Sequence, residues 1–488
     1  MTLPVLSPRT RLGFEIAAAG VAGGIVGDAM LRAMPWGLNV ALGTMVLVGT
    51  GAWLVRRHHI TPGPDTAWLA ITALLLGLAF LRRDAEMLTG FDAIALVGAL
   101  ALAAASLQGE VIAQWYPLDL ARGVITASAA SIVGGFQLLL SDIQWHELPQ
   151  DDRMRNVRRV LLGVALAAPV LLVFAALFAS ADQVFSNVLT NVFDFNLESV
   201  ISHTFFMAFW GFLVAGYLRW CMLGRPLRGL TLDAKPITSV VPLATALGLL
   251  NTLFLLFVVV QLRYFFGGAA LVEETSGLTY AEYARRGFFE LMTASGLMLP
   301  ILLGADELVR KGAAPQIRVV RQLSGLLLAF LAVIMVSALQ RMRLYVAAFG
   351  LSEQRLYATA FMILLVGVFV WFVWTVLRGQ RQRFVFEALM QGLAVLAGLH
   401  LLNPDAFIVK TNLNRPAAER PFDAKYALTL GGDAVPPLLT ALPQLNQQDR
   451  CSWCMACSSA GTRQTSTGVR GIGVALALAP ACATRPVP

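Results

Sequence analysis

The chain has 488 residues, of which 57% are apolar and only 14% charged, whereas an ordinary soluble protein is about 25% charged. Its apolar residues gather into blocks of about 16 to 22, close to the length a helix needs to cross a hydrocarbon core about 30 Å thick, which leaves no room for a large soluble domain. The formal charge of +8 comes from short basic clusters beside those blocks, a placement that fits membrane loops and argues against nucleic-acid binding.

In chain order the blocks predict an all-α polytopic transmembrane helix bundle of about 12 spans, in a range of about 10 to 13. They run Leu12 to Met30, Trp36 to Val55, Thr66 to Leu81, Phe91 to Leu107, Gly123 to Leu140, Val160 to Ser180, His203 to Met222, Ser239 to Leu262, Phe288 to Leu303, Leu323 to Leu339, Ala358 to Leu377 and Phe386 to Leu402. The first, third and fourth are short or rich in Ala and Gly. Arg9 and Arg11 precede the first block in the manner of a signal peptide, but no convincing small-residue cleavage site follows, so an uncleaved span is expected. Residues 1–402 then form the bundle, 403–450 a small extramembrane C-terminal segment, and 451–488 a disordered or frameshift-derived tail.

Four basic loops alternate down the chain and should be cytoplasmic: Arg153 to Arg159, Arg225 to Lys235, Arg310 to Arg321, and Arg378 to Arg383. The segments between them, Ala181 to Ser202 and Gly267 to Gly277, carry carboxylates without Lys or Arg and should face outward, as should Asn403 to Asp449. Counting back through all the blocks puts Arg56 and Arg57 outside, a conflict that points to a miscounted early span. The chain shows no obvious internal repeat of the kind that marks many transporters.

Near the ninth block, Glu282, Arg286 and Glu290 recur at i, i+4 and i+8, so Arg286 can pair with both carboxylates on one stripe. A charged group at a span centre costs about 2.5 to 3.5 kcal/mol on insertion scales, so Glu290 should face the bundle interior or the interface. The stripe reads as an ion or ligand site, or as a helix-entry ion pair that fixes depth. Arg341, Arg343 and Tyr345 end the next span before a turn at Gly350 and a helix capped by Ser352. Arg341 and Tyr345 share a face while Arg343 points elsewhere, and the pair of guanidinium groups can meet lipid phosphate, an anionic ligand or acidic partners, or snorkel to headgroups. Asn251, inside a long apolar helix, reads first as an interhelical hydrogen bond. Glu15, Asp28, His203 and His400 stand isolated along the chain.

No nucleophile elbow, Walker loop, zincin helix or dinucleotide fingerprint is present, so no catalytic residue, no metal ligand and no cofactor is assigned. Cys451, Cys454 and Cys457 have the spacing of a metal site, but the surrounding composition turns to Ser, Thr, Gly, Ala and Cys without any amphipathic period. A reading-frame change near Asp449 accounts for that turn.

The stretches NTLFLLFVVVQLRYFFGG (Asn251 to Gly268), YAEYARRGFFEL (Tyr280 to Leu291), SALQRMRLYVAAFGLSEQRLY (Ser337 to Tyr357) and LNPDAFIVKTNLNR (Leu402 to Arg415) together resemble a bacterial membrane family, domain of unknown function four-one-seven-three, close to the related set four-one-five-three. The resemblance covers about Leu162 to Leu445 and implies that Phe422 to Leu439 belongs to a small extramembrane tail. It brings no reaction, ligand or cofactor, and it directs attention to the regions of Arg286, Arg341 and Asn412. The reading is a multi-pass protein of the bacterial inner membrane whose partners are the lipid bilayer and an anionic lipid or small-molecule ligand. A non-enzymatic carrier-like, sensor or scaffold role leads; the alternative is a membrane-embedded enzyme acting on a lipid-linked substrate.

Overall fold

The computed structural model describes residues 6–147 (33 and 35 excepted), 197–224, 239–276, 288–309, 312–415 and 422–441, with scattered helical positions between 160 and 182. Among the described residues there is no strand, and ten helices are long and apolar enough to cross a membrane. In chain order the helices are α1 (Pro8–Leu31), α2 (Leu38–Arg57), α3 (Thr66–Ala79), α4 (Glu86–Leu107), α5 (Pro117–Gln137), α6 (Leu197–Leu223), α7 (Val241–Ser276), α8 (Phe288–Val309), α9 (Ala314–Phe349), α10 (Glu353–Trp371), α11 (Arg381–Leu402), α12 (Pro404–Leu413), α13 (Ala424–Ala427) and α14 (Val435–Ala441). Of the three weak blocks, the first and fourth are full-length helices. The third, α3, has only 14 residues, about 21 Å at 1.5 Å per residue and short of a hydrocarbon core. The block from Val160 to Ser180 falls mostly outside the described residues.

The chain divides into two compact units: residues 1–81, 96–111 and 121–229 in one, and 82–95, 112–120 and 230–488 in the other. In the first unit, α1 lies against α6 through small residues. A methyl at Gly20 would stand 2.7 Å from the Ala215 methyl, and one at Gly24 would overlap the Met207 carbonyl. Two helices can approach this closely only where side chains are absent, which is how membrane helices gain contact area in a solvent that offers no hydrophobic drive.

In the second unit α9 is the central shaft, packed by α7 and α8. Asn251 on α7 donates to its own turn at Leu247 O (2.8 Å) and across to Leu323 O on α9 (3.1 Å), the interhelical role read from the sequence. Gly350 ends α9 with φ 82°, a left-handed conformation that glycine adopts without penalty, and α10 starts three residues on. At the far end of the hairpin, Arg381 at the start of α11 holds Asp306 of α8 with Nε to Oδ2 at 2.7 Å and Nη2 to Oδ1 at 2.8 Å. Asn403 joins α11 to the segment beyond it. Its φ of 57° stops α11, its N–H bonds Leu399 O, and its side chain accepts from Ala406 N at the start of α12. Pro404 follows at the first helical position, where a missing N–H does no harm.

Residues 404–415 and 422–441 then form a cap of short helices with its own apolar core of Ile408, Val409, Leu430 and Leu438, which also takes in Leu351 and Leu356. The side-chain amide of Asn412 pairs with both backbone groups of Leu351, at 2.7 and 2.8 Å, and Glu353 N–H donates to the Tyr426 hydroxyl at 2.8 Å. The cap is thereby clamped to the turn between α9 and α10.

Candidate functional site

The six residues singled out from the sequence fall in different surroundings. Glu282 and Arg286 lie outside the described residues. Glu290 is exposed in the first turn of α8. Arg341 is buried at 8% exposure, and its Nη2 donates to Gln261 Oε1 on α7 at 2.9 Å. Ser337, one turn earlier on α9, donates to the same oxygen at 3.1 Å. Arg343 is exposed. Tyr345 is half-buried, its ring carrying the Arg355 guanidinium at 4.0 Å and meeting Phe349 edge-on at 5.3 Å. Arg355 also donates to Phe349 O and Gly350 O, so it caps the carbonyl end of α9 as a cation should. Arg341 therefore stands inside the helix pair with a neutral amide beside it, Arg343 stands outside, and Tyr345 and Arg355 stack at the tip.

A second polar cluster lies in the same unit, and sequence spacing does not assemble it. His400, in the last turn of α11, places Nε2 at 2.9 Å from Asp92 Oδ1 on α4, both side chains buried. Arg83 donates to the His400 carbonyl through Nε (3.0 Å) and Nη2 (2.8 Å), and its Nη1 reaches Asp433 at 3.4 Å. Asp405 is fully buried; its Oδ2 accepts from Gly431 N at 2.8 Å, and its Oδ1 has no hydrogen-bond partner among the described residues. Burial raises its pKa from 3.8 to about 6. The Gly431 N–H opposes that rise, while the like charges of Glu353, Asp433 and Asp84 add to it.

Polar residues that look isolated along the sequence are paired in the first unit too. Glu15 bonds Arg57 (3.0 Å) and His58 (2.8 Å), Asp28 meets His203 at 2.5 Å, and fully buried Asp142 takes both Arg9 (2.6 Å) and Arg219. An acidic residue within an apolar block is itself the signal that such a partner exists; its identity is not written nearby. Among the described residues no three His, Cys, Asp or Glu side chains are grouped to hold a metal ion.

Fold and polar layout together define a multi-pass, all-α membrane protein. Residues 70–441 match the family described as Domain of unknown function (DUF4153), and the chain belongs to that family. Of the two related sets that the sequence resembles, it is the second that matches, and the match begins well before Leu162, where the resemblance starts. Neither the curated proteins nor the solved structures include a match to the chain.

Proposed function

We propose that the chain is a non-enzymatic sensor or scaffold of the bacterial inner membrane that binds an anionic or lipid-derived ligand at the end of α9. Arg341, Arg343 and Tyr345 are its contact residues, with Glu282, Arg286 and Glu290 of the preceding segment. The observation that carries this reading is the buried position of the Arg341 guanidinium near the end of α9, where the Gln261 amide is one of its acceptors. A guanidinium presents five N–H donors in a planar fork suited to phosphate or carboxylate, and Arg343 and Arg355 add positive charge at the same end of the helix.

Sensing is favoured over conduction by where the charged pairs sit. In the second unit Asp306 and Arg381 mark one end of the helices, and Asp92, His400, Arg83 and Asp433 mark the end bearing the cap. A secondary transporter would instead gather polar groups near mid-bilayer on broken helices. The end with Arg318, Arg321, Arg378, Arg381 and Arg383 faces the cytoplasm by the positive-inside rule, and the cap faces outward.

The test is native mass spectrometry of the detergent-purified chain with its co-purifying lipids, comparing wild type with Arg341→Ala and Glu290→Ala. The expected result is a specific anionic lipid or metabolite retained by wild type and lost from the Arg341 variant. Normal folding of both variants with no species retained by wild type would leave a helix-anchoring cluster and sink the proposal.

A further inference from the structure

The first unit forms a half-open cavity of about 660 Å3 between α2, α3, α4 and α6, within the roughly 300–1,000 Å3 of sites that hold a small ligand. It exists because the helices face one another there with residues too small to meet, among them Gly51, Ala70 and Ala103. The Tyr217 hydroxyl in its wall is satisfied by Leu100 O at 3.1 Å, and the interior presents mainly hydrocarbon. Left empty, so large a space would deprive its lining of dispersion contacts on one side, and water entering it would find few of the polar partners it needs.

The mouth has a different character. Arg56, in the last turn of α2, and His59 border the cavity, both exposed. The neighbouring cation Arg57 is committed to Glu15 and stacks on Trp53. Arg56 has no such acidic partner among the described residues, so a cation stands at the rim of an apolar space. An acyl chain with an anionic headgroup matches both parts, and Arg56, at the end of a helix long enough to cross a membrane, stands where a headgroup would meet it.

We propose that this cavity binds an anionic phospholipid, with one acyl chain between α2, α3, α4 and α6 and the phosphate held by Arg56 with His59. The site shares no residue with the Arg341 cluster, and either assignment stands if the other fails.

The experiment is native mass spectrometry on the full-length, delipidated protein in detergent, titrated in parallel with phosphatidylglycerol, phosphatidylcholine and oleate. One phosphatidylglycerol should bind more tightly than phosphatidylcholine by about fivefold, the equivalent of about 1 kcal/mol for a single basic group beside an anionic headgroup. Arg56→Gln, an exposed change that leaves the packing intact, should bring the two phospholipids level. Ala70→Leu combined with Ala103→Leu should abolish both by filling the space, and if that variant does not purify, the lipid comparison and Arg56→Gln still decide the question. Equal binding of the two phospholipids by wild type, an Arg56→Gln protein that discriminates as wild type does, or a preference for oleate would overturn the assignment.

Discussion

His400 Nε2 lies 2.9 and 3.1 Å from the two carboxylate oxygens of Asp92, a pair formed across 308 residues of sequence and buried on both sides. It fastens the last turn of α11 to α4. Hydrogen bonds to charged groups contribute about 1.5 to 3 kcal/mol, and removing one partner leaves the other desolvated. Asp92→Ala is therefore expected to lower stability by about that amount, and Asp92→Asn, which keeps an acceptor for the imidazole, by less. Denaturant unfolding in detergent micelles measures the difference; an alanine variant as stable as wild type would show that the pair contributes nothing.

Asp405 gives the cap a pH dependence of unusual sign for a carboxylate. Folding raises its pKa from 3.8 to about 6, mainly by burial, so between these values the folded chain holds more protons than the unfolded one. Stability then falls as the pH rises through that window, and above it the ionised group opposes folding by roughly 3 kcal/mol. Asp405→Asn keeps an acceptor for Gly431 N–H and removes the ionisation. The variant's melting temperature should fall less between about pH 4 and 6 than that of wild type; parallel profiles would refute the assignment.

The approach of α1 to α6 should tolerate added bulk poorly. A methyl at Gly24 meets the Met207 carbonyl, a backbone atom that cannot rotate aside, whereas a methyl at Gly43 meets nothing within 4 Å among the described residues. Overpacking a close contact costs about 1 to 3 kcal/mol. Gly24→Ala is expected to be destabilised by that amount, and Gly43→Ala to match wild type or exceed it slightly through better helix propensity. Thermal unfolding of the two variants side by side checks the contrast, and an unperturbed Gly24→Ala would mean that the helices part easily.

Span length and composition are local properties, which is why the polytopic helical architecture is legible in the amino-acid sequence. The same holds for the LNPDAF stretch, where Asn403 and Pro404 end one helix and start another by rules confined to a few residues. Partnership is not local. Asp92 and His400 each advertise a need for a partner by lying in apolar blocks, but nothing near either one names the other. Arg341 shows the same limit: its face is readable from helical spacing, while its acceptor, Gln261, lies 80 residues away on another helix. Arg83, Asp405 and Asp433 escape a reading of the sequence because they flank the spans, where charged residues are common and carry no signal of their own.

The length of α9 has a mechanical consequence. Its 36 residues make a rod of about 54 Å, against a hydrocarbon core of about 30 Å, and its C-terminal tip is pinned to the cap through Leu351 and Asn412. A continuous rod of that length acts as a lever: a change in tilt of about 10° would swing its tip by about 9 Å. Any tilt of α9 would therefore reach the cap as a displacement of its anchor at Leu351.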